Sequence, residues 1–406
     1  MSRIGLALAG GGPLGAVYEI GALCALQESV SGLDLNAMDG YVGVSAGSFL
    51  AAGLANGMTA RELCTAFIDG DSRHPDHVPA AMFTRPAFGE IASRLVALPR
   101  LAGQAGWQAL RGRPWLTALE SLGRALPTGL FSHAPIEARL ASLLSAPGRS
   151  DDFRTLAAVR GRRLVIVATD LDSGEAVPFG QPGFDHVPIS RAVAASAALP
   201  GLFPPVAVDG RWCVDGALKK TLHASVLLDD GADLVLCLNP LVPFDATHSQ
   251  RHRVLAAGEA PIPRIVDGGL PVVLSQTFRS LIHSRLELGL KGYGASHPRA
   301  DLLLFEPDHR DPALFMANIF AYGQRRALAE HAYQATRANL RKRRSSLRPL
   351  LARHGLALDD AALDDPFRRL LRRRRLRPAA LGSEATRTLQ RLDEVLDDLA
   401  RALPAA

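Results

Sequence analysis

The sequence predicts an α/β fold, a central and mostly parallel sheet covered by helices. Two observations carry that prediction. A short apolar strand, a glycine turn and a helix follow one another twice within the first fifty residues. Three later runs, Leu164–Thr169, Asp233–Leu238 and Asp301–Phe305, have the near-continuous apolar character of strands covered on both faces. No stretch of eighteen apolar residues occurs, so no spanning helix is expected.

In chain order, Ile4–Ala9 reads as a buried strand that stops at three glycines, and Ala16–Leu26 has apolar residues at helical spacing. Tyr41–Val44 is a second strand, Ser45–Gly47 a tight turn, and Ser48–Leu54 a helix of small residues. Residues 70–130 lose this periodicity and mix Pro, Trp, Leu and Arg, the signature of an insertion or cap over the sheet. Leu164–Thr169 is followed by a turn at Asp170–Gly174, and a helical stretch around Phe278–Leu290 separates the last two strands. From Leu314 to about Arg344 the chain reads as helical, and a Pro- and Arg-rich tail ends in an amphipathic helix near Glu384–Leu403. No internal repeat is visible.

The chain has 406 residues, 48% of them hydrophobic, which suits one large domain with an accessory segment. Its net charge of +6 is local: residues 337–377 hold fourteen basic and four acidic side chains, so everything else sums to −4. A nucleic-acid reading would rest on that one segment, which has neither stacking aromatics nor a recognisable module, so nucleic acid is not an expected partner. Cys24, Cys64, Cys213 and Cys237 are far apart and lack metal-ligand spacing; buried free thiols in a reducing, cytoplasmic setting are expected, with no metal site. The first nine residues carry too short an apolar run for a secretory leader.

Gly43-Val44-Ser45-Ala46-Gly47 fits G-x-S-x-G in the context that motif needs, a strand before and a helix after. A serine on so sharp a turn is strained, and glycine two residues either side avoids collision with the neighbouring strand and helix. The bland alternative is a small-residue turn whose serine caps a helix. Gly10-Gly11-Gly12-Pro13-Leu14-Gly15 also has two readings. Gly10, Gly12 and Gly15 satisfy G-x-G-x-x-G, which calls for an acid at the end of the second strand; Asp34 and Asp39 are near the distance, but that strand ends at the serine. An oxyanion hole explains both loops together, since both would lie at the carboxyl ends of neighbouring strands. The serine needs a base. His223 lies in an apolar stretch and reads as structural, while an aspartate raised in basicity by desolvation would serve. Residue chemistry alone leaves Asp215, Asp209, Asp170 and Asp172 open.

The glycine loop, the serine turn and Asp215-Gly216-Ala217, in this order, resemble the patatin-like phospholipase family, as does Ala195–Val206 just before the aspartate. These blocks cover residues 4 to about 220. The resemblance implies a three-layer α/β/α sandwich with a helical cap and a C-terminal helical extension. It makes Ser45 the nucleophile and Asp215 its base in a dyad without histidine, with Gly10, Gly11 and Gly12 as the oxyanion hole. Gly15, Gly43, Gly47, Gly216 and Ala217 shape the motifs. One departure is Leu14, where many members carry Arg or Lys, so cationic help with a phosphate head group is missing there.

Family members hydrolyse acyl esters of glycerophospholipids or neutral lipids, so a lipid ester is the implied substrate and no cofactor is implied. The alternatives are a weakly active lipid-binding or membrane-associated scaffold, and a thioesterase or intracellular polyester hydrolase. The expected boundaries are a hydrolase domain at 1–335, with its cap at about 70–130, and a basic extension at 336–406. Phe83, Phe88, Trp107 and Trp115 of the cap serve either as core of a helical insertion or as a lipid-touching surface. The basic residues of 337–377, interleaved with leucine, suit peripheral contact with an anionic membrane, and truncation after about Arg353 should separate them from the fold.

Overall fold

In the computed structural model, β1 (Ile4–Leu8) runs into α1 (Gly12–Ser29), and after a two-residue β2 (Val30–Ser31) the pattern repeats as β3 (Gly40–Val44) and α2 (Ala46–Ala55). All of β3 and all but the first residue of β1 are buried, which is why these strands read as apolar runs rather than alternating ones. Residues 2–69, 74–111, 123, 125–247, 264–315 and 324–371 are described. Trp115, Arg372–Arg375 and the expected helix at Glu384–Leu403 fall outside them.

The other strands are β4 (Arg163–Asp170), β5 (Ala176–Phe179), β6 (Val206–Val208), β7 (Arg211–Asp215), β8 (Leu234–Leu238), β9 (Asp301–Phe305) and β10 (Ala357–Leu358). The main sheet runs β6-β7-β4-β3-β1-β8-β9, with β5 also paired to β4. From β4 to β9 neighbours are parallel, while β5 and β7 pair antiparallel with β4, and β6 with β7. In register, Leu8 lies between Gly43 and Leu238, so the carboxyl ends of β1, β3 and β8 are level and form the edge where α/β sheets place their ligands.

Beyond α2 the helices are α3 (Ala60–Cys64), α4 (Phe88–Leu110), α5 (Ala134–Leu144), α6 (Phe153–Arg160), α7 (Ile189–Ser196), α8 (Ser225–Asp229), α9 (Gly269–Ser296), α10 (Pro312–Phe315), α11 (Arg325–Lys342), α12 (Arg344–Arg353) and α13 (Asp360–Asp364). On one face α1 lies between the sheet and α11, and so is buried nearly all round. At Gly21 the two helices come so close that a Cβ would stand 2.4 Å from the Ala329 carbonyl oxygen. On the other face Leu227 of α8 and Leu286 and Tyr293 of α9 pack on Ala7, Val42, Val165 and Val235. The result is the expected α/β/α sandwich.

The first compact unit runs to Leu370. Its last part is stitched in: β10 pairs with β2, and Arg337, only 1% exposed, donates to the carbonyls of Ala362, Leu363 and Asp365 at 2.6, 3.1 and 2.8 Å. Several other arginines of the basic run make hydrogen bonds or surface ion pairs within this unit. Arg341 and Arg343 donate to the Leu363 and Leu304 carbonyls at 2.7 and 3.0 Å, Arg344 pairs with Asp364 at 2.5 Å, Arg353 pairs with Asp301 at 2.8 Å, and Arg348 pairs with Asp360. In the 70–130 region, Phe88 and Trp107 on α4 are 74% and 58% exposed, so these two are not core, whereas Phe83 is half-buried.

Candidate active site

β3 turns into α2 through Ser45, whose backbone sits at φ 50°, ψ −123°, a conformation that costs a side-chain-bearing residue free energy unless its surroundings enforce it. They do. The Ser45 N–H donates to Ser196 Oγ at 2.8 Å, and the Ser196 hydroxyl donates to the Val167 carbonyl at 2.7 Å. The Ser48 hydroxyl and N–H both donate to the Ser45 carbonyl, at 2.5 and 3.0 Å. Glycine is required on both sides: a Cβ on Gly43 would stand 2.5 Å from Ser48 Cα, and one on Gly47 2.5 Å from the Ala9 carbonyl oxygen.

Asp215 ends β7 and is 3% exposed, beside a Ser45 that is 5% exposed. Its N–H donates to the Ala198 carbonyl at 3.0 Å and its carboxylate accepts from the Ala217 N–H at 2.9 Å. The Ser45 side chain lies near enough to the same carboxylate to lower its pKa. Burial pushes the carboxyl up to about 6, while Ser45 and the bond from Ala217 hold it down. Gly216 permits the turn, because a Cβ there would stand 2.0 Å from the Val167 carbonyl oxygen.

The first glycine loop closes the other side. A Cβ on Gly10 would stand 2.9 Å from Ser45 Cβ and 3.3 Å from Ala217 Cβ, so Gly10, Ser45 and the Asp215 turn meet at one point. Gly11 is held between Pro240 and Gly15, which a Cβ would reach at 2.7 and 2.8 Å, while Gly12 has φ 61° with open space where a Cβ would point. These residues open α1, where backbone N–H groups have no intrahelical acceptor and the helix dipole favours negative charge.

The rival residues have other work. Asp170 accepts from Asp172 N–H and Ser173 hydroxyl within its turn, and Asp209, at φ 50°, faces His186 at 2.9 Å on the surface. Asp34 and Asp39 accept from the N–H groups of Asn36 and Ile4, which leaves no acid at the end of β3 for a ribose. His223 is buried with its ring on the Gly216 backbone, and burial pushes it down to about 4, so it stays neutral. Leu14 is buried in α1. All four cysteines are buried and free, and burial pushes Cys213 and Cys237 up to about 11 and about 12. The sequence marks Ala195–Val206 as a block without assigning its residues a role. Here Ser196 holds the backbone of Ser45 and Ala198 that of Asp215.

A family model for patatin-like phospholipase matches residues 6–228. Uncharacterized NTE family proteins of Mycobacterium tuberculosis and Mycobacterium bovis are 36% identical over 73 residues, 18% of this chain and 19% of theirs. Among solved structures, VipD from Legionella pneumophila aligns at 18% identity and TM-score 0.32, over 59% of this chain and 50% of that one. The type III effector ExoU aligns at 19% identity and TM-score 0.32, over 84% and 53%. This chain therefore spans about a fifth of the length of those curated relatives and about half of those solved chains. The family match extends from β1 through the glycine loop, the serine turn and the Asp215 turn to α8, more than half of the sequence, and on that match the chain belongs to the patatin-like phospholipase family.

Proposed function

We propose that this protein is a serine hydrolase of lipid acyl esters, of the phospholipase A or lysophospholipase type, with Ser45 as nucleophile and Asp215 as base. The observation that carries the reading is a Ser45 held on a strained turn beside the buried Asp215 carboxylate, whose pKa burial raises to about 6. Such a group is ionised at neutral pH yet more basic than an exposed aspartate. Asp215 takes the Ser45 proton as Oγ bonds to the ester carbonyl carbon and the carbonyl electrons move to oxygen. The N–H groups of Gly10, Gly11 and Gly12 receive that oxyanion. Its collapse breaks the ester C–O bond, and the departing alcohol takes the proton from Asp215. A water, deprotonated by the same carboxylate, then attacks the acyl-enzyme, releases the acid and restores Ser45.

A lipid substrate fits the apolar side chains at the surface. Phe88, Leu95, Val96 and Trp107 on α4, and Leu270, Leu274, Phe278, Leu281 and Leu288 on α9, are exposed. No helix of the described residues is long and apolar enough to cross a membrane, so the lipid would be met from outside the bilayer. In this reading residues 1–335 form the hydrolase, with its cap at 70–130, and 336–370 brace it.

Hydrolysis of a p-nitrophenyl acyl ester by the purified protein is expected to fall by roughly 10³-fold or more in both Ser45→Ala and Asp215→Asn. A fluorophosphonate probe should label the wild type at Ser45 and leave Ser45→Ala unlabelled. Turnover that survives either substitution, in folded protein, rules out the dyad.

A further inference from the structure

His283 on α9, Glu306 just beyond β9 and His309 in the loop after it bring one ligand atom each to within 4.8 Å of one another. His283 is far along the chain from Glu306 and His309, and none of the three belongs to the motifs above. The His283 and His309 rings cross edge to face at 4.8 Å between centroids. His283 Nδ1 is buried without a hydrogen bond and stands 3.7 Å from Glu306 Oε1, too far for one. Two ligands of a single zinc ion, each at about 2.0–2.2 Å in tetrahedral geometry, lie roughly 3.4 Å apart. The His283–Glu306 spacing is therefore too long for a direct bond and close to that of two ligands on one cation.

The surroundings have the outer support that such a site needs. Asn239 Nδ2 donates to Glu306 Oε1 at 2.6 Å and fixes the carboxylate, and the Asn239 N–H donates to the Phe305 carbonyl at 3.0 Å. The His309 loop is tied back by the Asp245 N–H, which donates to the His309 carbonyl at 2.7 Å, and by Arg310, whose Nε pairs with Asp245 at 3.1 Å. Two imidazoles and one carboxylate suit zinc and its neighbours rather than calcium or magnesium, which prefer all-oxygen shells.

We propose that His283, Glu306 and His309 bind one divalent ion of the zinc class, with water completing the shell. The ion clamps α9 to the carboxyl ends of β8 and β9. Through Glu306 and Asn239 it also steadies Pro240, the ring that bounds Gly11 and Gly15 of the glycine loop.

The test uses full-length, tag-free protein stripped with a chelator and dialysed. Zn²⁺ titrated by calorimetry is expected to bind at one equivalent and to raise the melting temperature, whereas Ca²⁺ leaves it unchanged. His309→Gln and Glu306→Gln should abolish the one-equivalent phase, and Asn239→Ala should weaken it roughly 10–100-fold. Should His309→Gln fail to fold by circular dichroism, His283→Gln takes its place. Zinc that does not bind the wild type, or binds the ligand variants equally well, overturns the proposal, as does stabilisation by Ca²⁺ in place of Zn²⁺. None of these readouts depends on ester hydrolysis, so the site stands or falls apart from the Ser45–Asp215 reading.

Discussion

Among the described residues no cation offsets the burial of Asp215, and this sets both its basicity and its effect on stability. With its pKa at about 6, hydrolysis of an uncharged ester should rise with pH and reach half its plateau near pH 6; a profile flat from about pH 4 to about pH 8 would remove Asp215 as the base. The same shift fixes the sign for folding. The native state holds this proton more tightly than the unfolded chain, so stability declines as pH climbs from about 4 to about 6 and stays lowered above. The gap from 3.8 to about 6 is worth on the order of 3 kcal/mol. Asp215→Asn should therefore be inactive yet melt higher than the wild type at pH 8, with the advantage gone at pH 4. That Asp215 sits in an Asp-Gly turn was readable in the sequence. That it is the buried one among four candidates was not, because burial depends on Ala198, Thr169 and Ser45, which come from other segments.

The serine elbow and the glycine loop are local devices, and the sequence marks them because sterics force glycine there. Gly47→Ala places a methyl against the backbone of Leu8 and Ala9, which has no room to yield; a loss of about 1–3 kcal/mol in chemical denaturation and a collapse of ester hydrolysis are expected. Gly289 offers the contrast. It lies within α9 with nothing near its Cβ position, so Gly289→Ala should be neutral or stabilise by up to about 1 kcal/mol. Elements without such marks were harder to read. β5, β6 and β7 are three to five residues long and pair antiparallel, and β2 and β10 have two residues each. Strands this short carry no periodicity, and only their partners define them.

At the scale of the whole molecule, the compact unit runs to Leu370. A cut after Arg353 removes β10, α13 and the carbonyls that satisfy the buried guanidinium of Arg337, and should lower the melting temperature sharply or prevent folding. A cut after Leu370 follows the boundary of the compact unit and should leave both melting temperature and ester hydrolysis near those of the full chain. Liposome binding compared between the full chain and the cut at Leu370 then reports on residues 371–406 together, Arg372–Arg375 and Arg377 among them. The basic surplus in the sequence is real, but a count of charges does not distinguish a solvated arginine from one that satisfies carbonyls inside a fold.

The sequence by itself determined the parallel sheet, the serine elbow, the glycine loop and the family. Each depends on interactions among residues close along the chain, where an apolar run or an obligatory glycine leaves a visible trace. Only the tertiary structure decided which aspartate is desolvated beside Ser45, where the compact unit ends, and that His283, Glu306 and His309 converge. Those outcomes depend on which distant segments share a sheet edge or a helix face, and the desolvation, hydrogen bonding and ligand geometry that follow exist only once the chain has folded.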